Sequence, residues 1–579
     1  MQSATAVIDY EPVTLDFGMS LEAQCAAILA ETEKQKRAEQ MALRVRPSVL
    51  VWDGDWNLQH IMAVEYKAQF SWISNDTGPG MTELPFNAPV AQWIHDMQGR
   101  IDRGEKRNVH ITVDYSGARW AGRMDSANVK LTDDGDKSME VTWLHDYENL
   151  KWYSVWSNSW LPAAFQWPRA FILGGPVPWV LKTALWSQVV REHNPLITIP
   201  DDPLDFGSWF TSLDQSTWQL VVAPGGFLDG LEAGDIWGVC SSRWSNWHDM
   251  AKQPLEDGEY SVTTDRYLPA LGDPEPWEGA NLRPGALVVD VVNKSGFHLG
   301  TSNGGTIFDG LALTVAEFAE DFIDSTLTVI TDDDLAPGVK EAYGVPGLFY
   351  TQRELPYVIY REDQHSAVQS SEFITSPAKG VQVNCGGHSM PGVNEAISAS
   401  IQAAADILGG LIQIGSLGGS IDALVKPLYE DTILAFWSVK STERAQKSGW
   451  SRYFEYWQDG ANKAYTLASL MVLRAGFWAT KTTISCKVSV ENNAPYRVGG
   501  PGVGHFWLDD RIGIVLKDDI RGRIHMDRCR NIVLAWDEND NYPAWQLTIG
   551  DDRALQDPAQ RAWAKIENIV AALKELGVY

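Results

Sequence analysis

The residues of this chain whose types could do chemistry fall in a few short passages. His505 precedes Asp509 and Asp510, and His525 precedes Asp527. Mixed imidazole–carboxylate sets of this kind can hold a divalent metal. Cys385-Gly386-Gly387-His388-Ser389 sets a thiol three residues from an imidazole. A nucleophile and its base normally come from distant segments, so this pair does not read as a catalytic dyad. Gly499-Gly500-Pro501-Gly502-Val503-Gly504 resembles a phosphate-cradling loop only superficially: no Lys-Ser/Thr adjoins it, and Pro501 removes a backbone donor. It reads as a flexible connector. Asp273, Glu275 and Glu278 flank Trp277. Glycoside hydrolysis needs two carboxyls held across a cleft, a separation that sequence does not reveal. No HExxH zinc box occurs. The His/Asp sets are expected at solvated loop and strand positions, and no residue is assigned a catalytic, cofactor-binding or metal role.

With no such motif to organise the chain, the 26 tryptophans in 579 residues stand out. Tryptophan carries a large apolar area and is enriched at interfaces, so this composition points to permanent contacts before catalysis. Lys+Arg number 47 against 75 Asp+Glu, a net charge of −28. That argues against a general nucleic-acid-binding surface, and no sequence-specific nucleic-acid binding is expected. It fits solubility first, or the wall of a channel through which DNA slides without sticking. Five widely spaced cysteines, Cys25, Cys240, Cys385, Cys486 and Cys529, form no CxxC pair, which argues against a zinc ribbon, a redox motif or a secreted disulfide scaffold. The first residues carry no basic apolar export pattern, and no apolar run is long enough to span a bilayer. Folding in a reducing cytoplasm is the simplest expectation.

The hydropathy pattern predicts an α+β, β-rich, multidomain chain. Residues 1–43 form an N-terminal arm and helix, with Ser20 as cap and Leu21, Cys25, Ile28 and Leu29 as an apolar stripe. Residues 44–165 read as a first β-barrel or sandwich, with strands at 61–72, 108–115, 119–131 and 138–146. A mixed, Trp-rich region covers 166–345, including a helix with Pro178 near its first turn. A second β-barrel or sandwich is expected from 346–392 together with 481–556. It includes the alternating run Ile484, Cys486, Val488, Val490, and Lys517-Asp518-Asp519 as a hairpin connection. A helical, Gly-rich insertion at 393–480 interrupts it. A C-terminal helix, 557–579, opens on Asp557 and Pro558.

Within the insertion, residues 407–421 carry no charge and are too short for a standard transmembrane helix. Their glycines permit close helix–helix approach. Ile407, Leu408, Leu411, Ile412, Ile414, Leu417 and Ile421, with Phe436 and Trp437 beyond, are candidates for a membrane-interacting tip or an oligomer plug. The plug, a helical hairpin buried between copies, is the preferred reading.

The order of these parts resembles the minor tail proteins of siphophages that infect actinobacteria. The resemblance is carried by Ser48-Val49-Leu50-Val51-Trp52-Asp53-Gly54, by Gln166-Trp167-Pro168-Arg169 leading to Gly174-Gly175-Pro176, by Ile199-Pro200-Asp201-Asp202-Pro203-Leu204-Asp205, and by the Gly/Ile/Leu insertion followed by Leu434-Ala435-Phe436-Trp437. It covers most of the chain and is a likeness of passages and their order, not a catalytic signature. It implies a tail-tip, baseplate-hub-like protein of the virion: a homotrimer whose two β-barrel domains per subunit give pseudo-sixfold symmetry. The implied partners are the distal tail protein ring, the tape measure protein, other minor tail proteins and the host envelope or membrane. The implied role is structural and non-enzymatic, with no cofactor: joining tube to tip and gating DNA ejection. The long region 166–345 exceeds a minimal hub. Two rival readings follow from it, a tail-associated cell-wall hydrolase and a carbohydrate-binding adhesin.

Overall fold

The computed structural model describes most of residues 18–294, apart from 19, 44, 132–134, 206, 208, 210–213, 233, 234 and 236. It further describes 329–330, 344–345, 351–352, 358–362, 368–386, 436–458, a few positions within 473–480, and 483–550 apart from 492–495, 501–502, 521–523 and 540–542. The expected C-terminal helix, His388 and residues 407–421 lie outside the described residues.

The chain opens with α1 (Leu21–Leu43), capped by Ser20, whose hydroxyl accepts from the Ala23 amide at 3.3 Å. Its expected apolar stripe is largely in the open, with Leu21 and Leu29 exposed. The β pattern follows: β1 (Ser48–Asp53), β2 (Leu58–Met62), β3 (Lys67–Ile73) and β4 (Pro79–Pro85). Two short helices, α2 (Pro89–His95) and α3 (Met97–Asp102), lead to β5 (Val109–Tyr115), β6 (Ala118–Leu131) and β7 (Lys137–His145). The strand expected at 61–72 is therefore two strands. Alternation explains β7, where Met139, Val141 and Trp143 all point inward and are fully buried. In β1 successive residues are buried on both faces: Val49 and Val51 enter the main core, while Leu50 and Trp52 join Leu268 in a smaller cluster on the other side.

The middle of the chain holds β8 (Phe171–Pro176), α4 (Val177–His193), β9 (Leu220–Val222), α5 (Phe227–Glu232), β10 (Trp237–Ser242), α6 (Trp247–Gly258), β11 (Tyr260–Arg266) and β12 (Leu287–Asn293). Antiparallel β11–β12 and parallel β12–β9 make a three-stranded sheet, and β10 pairs β8. Helix α4 buries Val180, Leu181, Ala184, Leu185 and Val189 against them, at the helical spacing expected. Trp247 locks α6 to α4 by donating its indole N–H to the Leu181 carbonyl at 3.0 Å. This second core begins at Tyr147, so the aromatic stretch that follows β7 packs with the middle region and not with the first β unit.

Two-residue strands β13 (Val329–Ile330), β14 (Gly344–Val345) and β15 (Thr351–Gln352) precede β16 (Ile359–Arg361), β17 (Val368–Ser376) and β18 (Gln382–Gly386). Then come β19 (Phe436–Lys440), α7 (Thr442–Lys447), β20 (Glu455–Trp457), β21 (Thr483–Glu491), β22 (Arg511–Val515), β23 (Ile524–Asp537) and β24 (Ala544–Ile549). The region expected to be helical, 393–480, contains the helix α7 but also two strands, β19 and β20, which flank β18 in a separate small sheet. The Lys517–Asp519 connection does join an antiparallel pair, with Val515 opposite Ile524.

The early and late β units share one sheet. Its path runs β17-β21-β24-β23-β3-β4-β7-β6-β5-β1-β2; off this path β22 and β13 pair with β23, and β16 pairs with β22. The pivot is β23 against β3, with Asn531 opposite Ile73 and Asp537 opposite Lys67. A closed barrel abolishes its edges by pairing them within itself. Here an edge of the early unit pairs an edge of the late one, and the described strands form an open path in place of two closed barrels. Strand β23 is continuous from Ile524 to Asp537, with an irregularity between Cys529 and Asn531. A single apolar core runs beneath, joining Phe70, Trp120 and Trp143 to Ile532, Trp545 and Leu547.

Candidate assembly surfaces

The structure puts most of the sequence candidates to structural use. Asp509 is fully buried. Its carboxylate accepts from Ser74 Oγ (2.5 Å), Ser261 Oγ (2.6 Å) and Arg528 Nη2 (2.6 Å). Neighbouring Asp510 takes Lys294 Nζ at 2.6 Å. His505 Nδ1 accepts from the Arg497 amide at 2.9 Å. His525 is buried on β23 with its ring edge-on to Phe373, and burial raises the Asp527 carboxyl above its ordinary pKa. Among the described residues no group of three or more His, Cys, Asp and Glu is placed to hold a metal. The Asp509 set was expected at solvated positions; it is instead a buried clamp, because its charge is met by a guanidinium and two hydroxyls.

Cys385 is buried in β18, and burial pushes its thiol up to about 12, far from the thiolate a nucleophile needs. Asp273 is held by Arg119 Nη1 at 2.5 Å and by the Leu268 amide, while Glu275 and Glu278 are exposed. The glycine run is no loose connector. The Gly500 amide donates to the Ser116 carbonyl at 3.0 Å, and a Cβ at Gly500 would lie 2.1 Å from the Gly117 carbonyl oxygen. Gly117 itself turns the β5–β6 hairpin at φ +74°, beside Val503.

Asp509 belongs to a longer polar seam between the middle region and the large sheet. Glu259 pairs with Arg511, and Glu256 with Arg530 at 2.9 Å. The Asn75 side chain bonds to both backbone polar groups flanking Ser261, donating to the Tyr260 carbonyl and accepting from the Val262 amide. At the other end of β11, Arg266 makes a two-pronged ion pair with buried Asp146 at 2.6 and 2.8 Å and donates to the Gly285 carbonyl. Trp56 covers that guanidinium at 4.5 Å and stacks on His110. Burial would raise the Asp146 carboxyl, but Arg266 outweighs it and holds the group below its ordinary value. His110 is driven down to about 3 by burial and by the positive charge of Arg266, so the buried ring is neutral.

The outer side of the middle region is different. Trp152, Trp160, Phe165 and Trp167 are 75, 59, 74 and 78 % exposed. Trp152 ends the short helical turn Asp146–Trp152, and the other three stand on a loop tied together by its own polar side chains. Gln166 accepts from Ser157 Oγ and the Asn158 amide and donates to the Leu161 carbonyl; Asn158 donates to the Trp167 carbonyl. Beside it Trp244, at φ +73°, lies against Trp156 with ring centroids 4.2 Å apart, and Arg191 caps Trp156 at 4.1 Å. A bulky residue at positive φ is uncommon and strained. A second aromatic surface lies on the small sheet: Phe436 is half exposed, meets Trp457 at 5.9 Å, and is accompanied by exposed Trp450, Tyr453 and Phe454. Of the candidate tip or plug residues, Phe436 and Trp437 are thus on β19, with Trp437 opposite Cys385. Ile407, Leu408, Leu411, Ile412, Ile414, Leu417 and Ile421 lie outside the described residues. Among the described residues no helix is long and apolar enough to cross a membrane.

Residues 150–168 hold Trp152, Tyr153, Trp156, Trp160, Phe165 and Trp167, a density visible in the sequence that does not by itself place them on the surface. One available signal was missed: no Asp or Glu occurs between Glu148 and Glu192, in a chain otherwise rich in them.

Residues 48–551 match the model of the family described as Siphovirus ReqiPepy6 Gp37-like protein. The chain is 31 % identical to minor tail protein Gp28 of Mycobacterium phage L5, over 94 % of this chain and 96 % of that protein. It is also 31 % identical to minor tail protein Gp28 of Mycobacterium phage D29, over 92 % and 95 % of the two chains. Among solved structures, the 43 kDa tail protein of prophage MuSo2 from Shewanella oneidensis aligns over 88 % of this chain and all of that one, with 10 % identity and a TM-score of 0.38.

Proposed function

This chain belongs to the Siphovirus ReqiPepy6 Gp37-like family and is a minor tail protein of the virion tail, and from that premise we propose that it forms a trimeric hub at the tail tip. The hub joins the tube to the tip, contacts the distal tail protein ring and the tape measure protein, and gates DNA release at host attachment. Its role is mechanical and non-enzymatic.

The observation that carries the reading is the pair of exposed aromatic surfaces. Large side chains such as Trp167 and Trp450 (93 % exposed) suit permanent subunit contacts, because contiguous apolar patches on soluble proteins mark interaction sites. The single sheet through both β units supports it by giving each subunit one stiff body to contribute to a ring. Negative charge on lumen walls would let DNA pass without adhering. In this reading Ile407, Leu408, Leu411, Ile412, Ile414, Leu417 and Ile421, with Phe436 and Trp437, form the distal three-chain plug.

Images of the particle with this chain tagged test the proposal. Three copies in a ring at the tube end are expected; a single copy, or density along the tube, overturns it. Virions lacking residues 407–421 are expected to leak or to fail in ejection. Normal retention and ejection would remove the plug.

A further inference from the structure

A copy-to-copy contact in such a ring is heterologous and joins two different, complementary surfaces, such as a projection on one subunit and a recess on the next. The loop around Trp160 and Trp167 is the projection. Its shape is fixed before contact by the Gln166 and Asn158 hydrogen bonds, so ordering it costs little on binding. Its composition is that of an interface hot spot, exposed tryptophan beside arginine. Arg169 and Arg243 are exposed and make no ion pair among the described residues, while Lys151 is already held by Asp76 and Glu148. Residues 149–191 carry no carboxylate, so in a chain of net charge −28 this loop is a local basic island.

The matching recess lies elsewhere in the middle region. An open cleft of about 290 Å³ is lined by Asp214, Gln215, Ser216, Trp277 and Asn281. That is at the small end for a small-molecule site and of the order of one large aromatic side chain. Trp277 is half-buried on the second core, and exposed Glu275 and Glu278 adjoin it in the Asp273–Gly279 loop. Asp214 adds a third exposed carboxylate. Arg283 is the local cation, and its guanidinium donates to the Thr217 carbonyl.

We propose that the Trp160–Trp167 loop of one copy seats an indole in the acidic Trp277 cleft of a second copy of this chain, with Arg169 and Arg243 against the carboxylates at the rim. The inference rests on the reading of the protein as a multi-copy ring and names the surfaces that would build it. Opposite charge selects the register, and the indoles supply the affinity.

The test is the copy number of the full-length chain, followed by sedimentation across a concentration series. Trp160→Ala with Trp167→Ala is expected to weaken association at least ~30-fold, the effect of losing one hot spot, with the thermal melt unchanged at dilutions where both chains are dissociated, because both side chains are exposed in the single copy. Arg169→Glu with Arg243→Glu weakens it, as does Glu275→Lys with Glu278→Lys. All four charge changes in one chain restore it, since each copy then offers the reversed pair. Rescue supports the contact. Weakening without rescue overturns the assignment of the cleft as receptor. A complex indifferent to every variant overturns the contact while leaving the ring intact. A chain that stays monomeric at every concentration overturns both. Vesicles of phosphatidylglycerol provide the remaining arm: if they capture the wild type and not the double alanine variant, and copy number is unmoved, the loop serves a membrane and the proposal fails.

Discussion

In the sheet core, Trp120 and Trp143 are fully buried, and their indole nitrogens donate to the Ser71 carbonyl and the Thr82 hydroxyl, each at 2.9 Å. A short way along the chain, Trp160 and Trp167 stand more than half exposed on a loop whose polar side chains bond to one another. The residue type is the same and its employment is opposite. What separates the two sets is the backbone beneath them. Strand alternation turns Trp143 inward with Met139 and Val141, whereas the loop has no period to hide its rings. Counting tryptophans therefore says how much apolar area a chain owns, and only the local geometry says whether that area is spent inside or offered outside.

The contrast can be broken most directly by truncating one residue from each set. Trp143→Ala should lower stability by about 3–5 kcal/mol, the usual cost of removing a buried indole, whereas Trp167→Ala should shift it by less than about 0.5 kcal/mol. Denaturant unfolding of both variants checks this; equal losses would erase the distinction. The seam offers the next largest effect. Arg528→Ala strands the fully buried Asp509 without its guanidinium, and breaking a buried pair in this way costs about 3–5 kcal/mol. Limited proteolysis should then cut between the middle region and the sheet before either core opens.

Acid probes the same boundary. The His110 pKa is about 3 when folded, against an ordinary 6.5, so the unfolded chain binds the proton more readily. Its contribution is complete above the ordinary value and is lost as pH falls from there toward the folded value, at up to about 1.4 kcal/mol per pH unit. Unfolding measured at pH 7 and pH 5 should show the decline, and His110→Gln should flatten that part of it. The smallest change is expected at the seam's rim. Glu256→Gln removes the partner of Arg530 where both side chains are partly in water, and should cost about 0.2–1 kcal/mol. A larger loss there would mean that the rim, and not the Asp509 clamp, holds the middle region down.

Much of the fold was legible where one period dominates. The Ser20-capped helix, the alternating strands before His145, the helix after Pro178 and the Lys517–Asp519 hairpin all follow from spacing and turn residues. The union of the two β units was not legible, because pairing β23 with β3 brings together residues more than 450 positions apart and alternation does not name a strand's neighbour. Strand β23 runs on through the charged residues Arg528 and Arg530 because Asp509 answers the first and Glu256 of the middle region the second. The same blindness hid the clamp. Asp509 looks like any loop carboxylate until Ser74, Ser261 and Arg528 arrive from three other segments. The aromatic loop was half legible: its rings were visible in the sequence, and its exposure was not.

Strand β23 carries a further implication. Its first half is laddered to β22 and its second half lies between β24 and β3. A pull on the late part of the chain along this strand loads several rows of hydrogen bonds in parallel, in shear, and cannot unzip them one at a time. A molecule wired this way yields as a whole or hardly at all, which is the behaviour of a coupling that transmits force and not of a hinge that absorbs it.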